Sequence, residues 1–251
     1  MKSNRINTTI IVILFFTVFN LSAGNIEFGI YGGLSIPTAD FADDNIYEDK
    51  AGFALKGFGL GIEMNKPLNS SSLYWSSSVS FLINSYNTDE IEDYYRDDLQ
   101  YYPNVYKCKV DAGFWGNIPL LTGIKFQTKI SPTLEFFGLG QIGINIVNHP
   151  DLDIELDFGD YYGYYYEVRS TINFDSATTF AFMVGGGVSL NKKLNISFKY
   201  FGLGKAELKG ESNSENKSYI DGEIAFIDTY ENDIEKDQSI SIFLLSLGFN
   251  F

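Results

Sequence analysis

The residues of this chain that could do chemistry are few, and their spacing limits them. His149 is the only histidine and stands beside Pro150 and Asp151. A catalytic base needs a serine or carboxylate partner held within hydrogen-bond reach, and the sequence places no such serine or second constellation near it. Asp151, Asp153, Glu155 and Asp157 recur at every second position, so an extended backbone puts four carboxylates on one edge. Leu156 occupies the position where a calcium-binding EF-hand turn requires glycine, so the alternation reads as strand rather than metal loop. Cys108 is the only cysteine, which leaves strand pairing and packing to hold the fold. Tyr161, Tyr162, Tyr164, Tyr165 and Tyr166 form a cluster, echoed by Tyr94, Tyr95, Tyr101 and Tyr102. Exposed tyrosines offer amphipathic contact area to a partner or glycan, and they also suit the aromatic girdle of a membrane protein.

The elements that must position these residues show a period of two. In the last strand, Phe243, Leu245, Leu247, Phe249 and Phe251 share one face, opposite Ser246, Gly248 and Asn250, with Leu244 the exception. The pattern recurs over 25–36, 53–64 and 73–84, again from Ile118 to Gln127 and from Leu134 to Ile146, and over 180–190 and 194–200. A soluble sandwich turns its polar face to water and fills it with Lys, Glu and Thr; here the smaller face is mostly Gly and Ser. An eight-stranded barrel has room inside only for side chains, which favours small residues inward and bulky ones outward. The expected fold is therefore all-β, an eight-stranded antiparallel transmembrane β-barrel with short periplasmic turns and four long acidic extracellular loops. A content of 16% aromatic residues and 24 glycines agrees, and a mean hydropathy of −0.06 excludes a bundle of membrane helices.

The connections alternate in length. Those over 37–52, 86–117, 147–178 and 209–237 are long, and those over 65–72, 128–133 and 191–193 are short, which is the asymmetry of outer-membrane barrels. The long connections hold 28 Asp and Glu against 8 Lys and Arg, while the short ones hold Lys66, Lys129, Lys192 and Lys193 and no acid. Acid on one rim argues against a nucleic-acid partner, which needs a basic surface. Lys2 and Arg5, the apolar run Ile10 to Phe19 and the small residues Ser22-Ala23-Gly24 read as a secretory signal over 1–24, leaving 25–251 as the barrel domain.

Parity along the strands turns Glu27, Glu63, Glu135, Lys125 and Lys199 inward, where charges must be paired or hydrated. Three acids and two bases would make a lumen salt-bridge network that either plugs the barrel or gates a narrow polar pore. The stretch Ile118-Pro119-Leu120-Leu121-Thr122-Gly123-Ile124-Lys125-Phe126 resembles a strand of the bacterial outer-membrane β-barrel domain family, which includes PorT-like proteins and small OmpA/OmpX-type barrels. Gly138-Leu139-Gly140, Gly185-Gly186-Gly187-Val188 and Phe198-Lys199-Tyr200-Phe201-Gly202-Leu203 look like the same family. Leu247-Gly248-Phe249-Asn250-Phe251 is similar to the terminal signal read by the barrel assembly machinery, which makes Phe249 and Phe251 its assembly residues. The resemblance implies residence in the bacterial outer membrane, with lipid and the assembly machinery as partners. It also implies a non-enzymatic structural or surface-interaction role, with no cofactor or metal. A narrow channel for small solutes is the alternative, followed by a rim enzyme acting on lipid through His149 or a component of a secretion machine.

Overall fold

A computed structural model describes residues 26–68, 72–99, 104–160 and 162–251. The expected leader over 1–24 and Tyr101, Tyr102 and Tyr161 lie outside them. Strands β1 (Glu27–Pro37), β2 (Ala54–Pro67), β3 (Leu73–Tyr86), β4 (Asn104–Ala112), β5 (Phe114–Lys129) and β6 (Leu134–Asn148) are followed by β7 (Leu152–Gly159), β8 (Tyr165–Phe174), β9 (Ala177–Leu190), β10 (Leu194–Ile220) and β11 (Glu223–Asn250). One helix, α1 (Asp89–Asp98), lies between β3 and β4.

All neighbouring strands pair antiparallel. Strands β1, β2, β3, β5, β6, β9, β10 and β11 follow one another in a ring, closed where β1 pairs β11 from Gly29↔Asn250 to Pro37↔Ile242. Closure leaves no open edge strand in the wall, so the ladders there supply backbone partners without water. The outward positions form an apolar belt that includes Phe28, Ile30, Phe58, Leu60, Ile62, Phe81, Ile142, Phe180, Phe198 and Leu247, all exposed. Among the described residues no helix is long and apolar enough to cross a membrane; the strands are what such a belt equips to cross lipid.

Three features differ from the sequence expectation. The sheet holds 11 strands, not eight, because β4, β7 and β8 form within two of the regions read as loops. The region read as a fourth loop is a continuous hairpin: β10 and β11 stay paired from Leu194↔Phe249 to Ile220↔Glu223 and turn through Asp221 and Gly222, both at positive φ, the backbone of a two-residue primed turn. The register shifts twice, between Gly202 and Lys205, where Gly204 adopts φ +80, and between Ser218 and Tyr219 near the tip. The Gly204 bulge lies beside Phe180 of β9, and such bulges bend and further twist a strand. The inner face, lastly, is not small throughout, because Leu82, Leu121, Leu139, Met183, Phe201, Ile242 and Leu244 are buried there. Leu82, Leu121, Met183, Phe201 and Ile242 lie toward the long connections, whereas Leu139 and Leu244, the latter the exception to the alternation, pair with Lys125 and Lys199.

Beyond the ring, the outer part of the β10–β11 hairpin pairs with β8, β8 with β7, and β7 with β4. The last three acidic connections thus converge into one five-stranded outer sheet. Helix α1 begins with Asp89, Glu90 and Glu92 and carries Arg96 in its last turn, charges that complement the helix dipole. Its Ile91, together with Leu99 just beyond its end, is buried in one cluster with Val110, Leu152, Ile154 and Leu156, and the same cluster continues through Phe41 and Trp115 into the barrel interior.

Candidate functional site

The lumen holds the best-defined polar site. Glu63 on β2 is the hub: Lys125 Nζ on β5 lies 2.9 Å from its Oε1 and Lys199 Nζ on β10 lies 3.4 Å from its Oε2. Asn65 Nδ2 donates to the same Oε1 at 3.0 Å. The three charged residues come from separate parts of the wall and meet across the bore, and Lys199 is only 2% exposed. Lys199 also lies 3.2 Å from the centroid of the Tyr31 ring, and Lys125 lies 4.8 Å from that of Phe137. Such cation–π contacts contribute about 2 kcal/mol when desolvated.

The Tyr31 ring fits because residue 61 is glycine: a Cβ there would sit 2.3 Å from the ring. Its hydroxyl shares a 2.6 Å hydrogen bond with Ser80. Ser78 donates to Gln141 Oε1 at 2.6 Å and Gln141 Nε2 donates back to Ser76 at 2.9 Å. The serines that made the inner face look merely small are thus the first layer of a hydrogen-bonded wall around the ion triad.

Glu27 and Glu135 do not join Glu63. They border a cavity of about 720 Å³ at the short-turn end, with Tyr74, Lys129, Lys192 and Phe251. Glu135 accepts a bond there from Gln127 Nε2. Parity assigns the five charged residues to one side of the wall but not to one height along it, so the expected five-member network becomes a triad and two separate carboxylates. Phe249 is exposed on the lipid side with its ring 5.3 Å from that of Phe251, whose N–H donates to Phe28 O at 2.8 Å.

At the other end the first long connection folds back over the mouth. A 3-10 turn at Ala39–Phe41 buries Phe41 completely, edge-on to Trp115 at 5.2 Å. Trp115 Nε1 donates to Gly52 O at 2.9 Å, and Phe53 stacks on Tyr86 at 5.6 Å. From β11, Lys236 Nζ donates to Ala51 O at 2.9 Å and Gln238 Nε2 to Lys50 O at 3.0 Å. The mouth is therefore stoppered by a segment tied to three different strands.

His149, read from sequence as a loop residue, is buried under this stopper, just beyond the end of β6. Its ring lies 4.3 Å from both Trp115 and Phe174, and Nδ1 contacts Pro150 O at 2.6 Å. Burial, reinforced by the Lys236 charge, pulls its pKa down to about 3. No carboxylate partners it, and its Nε2 is buried without a hydrogen bond among the described residues. Rings from three separate strands, Tyr86, Trp115 and Phe174, make this environment, and a local reading around position 149 carries no trace of it.

The remaining candidates lie on the outer sheet. Asp153, Glu155 and Asp157 do share one face of β7, but cross-strand partners occupy them. Lys107 bonds Glu155, Arg169 Nη1 lies 2.6 Å from Asp157, and Thr171 donates to Asp153 at 2.8 Å. The tyrosine cluster divides because β8 alternates: Tyr165 meets Tyr106 and Tyr219, whereas Tyr166 stacks on Phe158 on the other face. Tyr162 is 88% exposed in the turn, with Tyr164 beside it. Cys108 Sγ contacts Glu92 O at 3.4 Å.

The class these features define is a small, closed β-barrel with a lipid-facing belt, a plugged lumen and a folded outer sheet. No family model matches the chain, and no curated protein does. Solved structures that are similar include the outer membrane protein OprG from Pseudomonas aeruginosa, at 9% identity and a TM-score of 0.41 over 90% of this chain and 95% of that one. Ail, the attachment invasion locus protein of Yersinia pestis, is 11% identical with a TM-score of 0.35 over 92% and 100% of the two chains. LpxR from Salmonella typhimurium is 11% identical with a TM-score of 0.21 over 89% and 99%. At these values the barrel assignment rests on the strand pairing of the chain itself.

Two outcomes test the lumen and the stopper. Glu63→Leu leaves two buried ammonium groups without their carboxylate, and it is expected to lower unfolding stability in detergent by about 3–5 kcal/mol. The triple change Glu63→Leu, Lys125→Met, Lys199→Met should recover most of that loss; equal stability of Glu63→Leu and wild type in urea titrations would remove the triad as a structural element. For His149, the unfolded chain takes up a proton below about pH 6.5 while the folded chain does not until about pH 3. Wild type should thus lose stability relative to His149→Phe as pH falls through that window, by a few kcal/mol near its lower end, with no divergence above it. Parallel pH profiles of the two proteins would contradict this placement of the imidazole.

Proposed function

We propose that this chain is a non-enzymatic bacterial outer-membrane barrel that does not conduct, and that it serves as an anchor displaying its outer sheet to the cell exterior. One observation carries the reading: the bore is crossed by the Glu63–Lys125–Lys199 triad and stoppered by residues 38–53 of the first long connection, while the other three long connections build a single sheet above it. The barrel is the platform and the sheet is the variable part. Residues 1–24 act as the export signal, the belt is solvated by outer-membrane lipid, and the protein is of the PorT-like or small OmpA/OmpX type. The burial of His149 among aromatic rings, with no carboxylate beside it, favours a role without catalysis. The predominantly acidic outer connections favour a protein or glycan partner over nucleic acid.

A narrow channel for small solutes is the second reading, favoured by the cavity of about 720 Å³ at the short-turn end. Planar-bilayer recordings separate the two: the anchor reading expects no conductance steps, and steady openings of the pure protein would overturn it. Its other half is tested by excising residues 211–233 and joining β10 to β11 through a two-residue turn. The shortened chain should still form a heat-modifiable barrel, and intact cells carrying it should lose adhesion to protein-coated surfaces; unchanged adhesion would remove the display role.

Phe249 and Phe251 are proposed as the residues that the assembly machinery reads. Deleting Phe251 should reduce the heat-modifiable form recovered in the outer-membrane fraction, and normal recovery would contradict this.

A further inference from the structure

Strand β11 has two neighbours inside the barrel and one outside it. Its register with β10 continues up to Ile220↔Glu223, but β1 ends at Pro37↔Ile242. From Glu223 to Lys236 the other side of β11 therefore meets no strand. A line of N–H and C=O groups is left unpaired over roughly 45 Å, taking about 3.4 Å per residue.

Natural proteins blunt such edges by keeping them short, by proline, by bulges, or by covering them. The opposite edge of the outer sheet is treated that way: β4 spans 9 residues, and Glu92 Oε1 from α1 accepts the Val110 N–H at 2.8 Å. The β11 edge has no proline and bulges once, at Ala225 between Tyr219↔Ile224 and Ser218↔Phe226; from Phe226 to Lys236 its register with β10 is unbroken. Ile224-Ala225-Phe226-Ile227 carries no charge, and Phe226 is 60% exposed, with Ile224, Ile227 and Tyr230 also exposed.

The charges beside this edge are one-sided. Glu231, Asp233 and Glu235 alternate onto one face of β11, and Glu211 and Asp233 stand directly opposite each other on β10 and β11. Like charges so placed are destabilising. Lys209 pairs with Glu235 at 3.0 Å, whereas no ion pair among the described residues involves Glu211, Glu231 or Asp233. A strand added beside β11 would bring its own side chains next to these carboxylates.

Resting on the display reading above, we propose that the Glu223–Lys236 edge of β11 receives an extended segment of a partner protein by strand addition, and that this segment alternates Lys or Arg with apolar residues. Its backbone completes the open ladder, its bases face Glu211, Glu231 and Asp233, and its apolar residues cover Phe226 and Tyr230 on the opposite face. Main-chain bonds supply affinity in this mode, and alternate side chains supply selectivity. A second copy in the same membrane fits less well. A two-fold axis along the membrane normal would align two β11 edges in parallel, with Glu231 and Asp233 of one copy against the same residues of the other.

The test uses the full chain in detergent micelles and three labelled ten-residue peptides. One alternates Lys and Val, the second is the same peptide N-methylated at alternate backbone nitrogens, and the third alternates Glu and Val. Strand addition expects the Lys–Val peptide to bind in a salt-sensitive manner and to slow amide exchange in 223–236. It expects the N-methylated and Glu–Val peptides to bind at least about tenfold more weakly, and the surface change Glu231→Gln with Asp233→Asn to weaken Lys–Val binding in a protein whose gel mobility is unchanged. Equal binding of the first two peptides, no binding, or self-association of the protein through 223–236 that the peptide does not compete with would each overturn the proposal. Persistent cell adhesion alongside any of these results would leave the display role standing, because that role fails only if excision of 211–233 has no effect.

Discussion

A single carboxylate organises the bore. Glu63 is shared by two ammonium groups that arrive from different parts of the wall, so the triad ties the ring across its interior as well as around its circumference. Charges withdrawn from water are tolerated only when matched in number and geometry. Here two cations meet one anion, and the excess positive charge is spread over the Tyr31 and Phe137 rings. That requirement reaches outward through Gly61, which clears the space for Tyr31, and through the serines of β3, which bond Tyr31 and Gln141. Much of the inner-face composition follows from satisfying one buried acid.

The two ends of the barrel are filled by different physics. Polar side chains around the triad are held by directional bonds, while toward the long connections Leu82, Leu121, Met183 and Phe201 are held by close packing. The first connection completes the apolar half from above, and Lys236 and Gln238 satisfy its carbonyls as it enters. The lysine is itself partly desolvated, which pulls its pKa down to about 8. The stopper is therefore bonded as well as packed.

The ring was legible from sequence because lipid and a narrow bore impose a strict period of two, and Phe58, Gly59, Leu60, Gly61 and Ile62 state it without ambiguity. Outside the lipid that constraint disappears. Ser212 to Asn216 contains no apolar residue, yet it is strand, because β8 and β11 pair with it on both sides. A loop reading there followed from using side-chain alternation as the only signal. Parity also chose the inward charges but could not rank them by height, since height depends on the stagger between strands. His149 escaped for a third reason: its environment is made by Tyr86, Trp115 and Phe174, which three different strands bring together.

The β10–β11 hairpin gives the molecule a mechanical axis. Strands of 27 and 28 residues reach roughly 90 Å at about 3.3 Å per residue, several times the height of an apolar belt of about 25 Å. A load applied at the Asp221-Gly222 tip therefore travels along strands that continue into the wall. There it meets the ladders to β9 and β1 lengthwise, so the bonds share it in shear instead of opening one after another. The bulge at Gly204 is the place where this rod can bend before it tears.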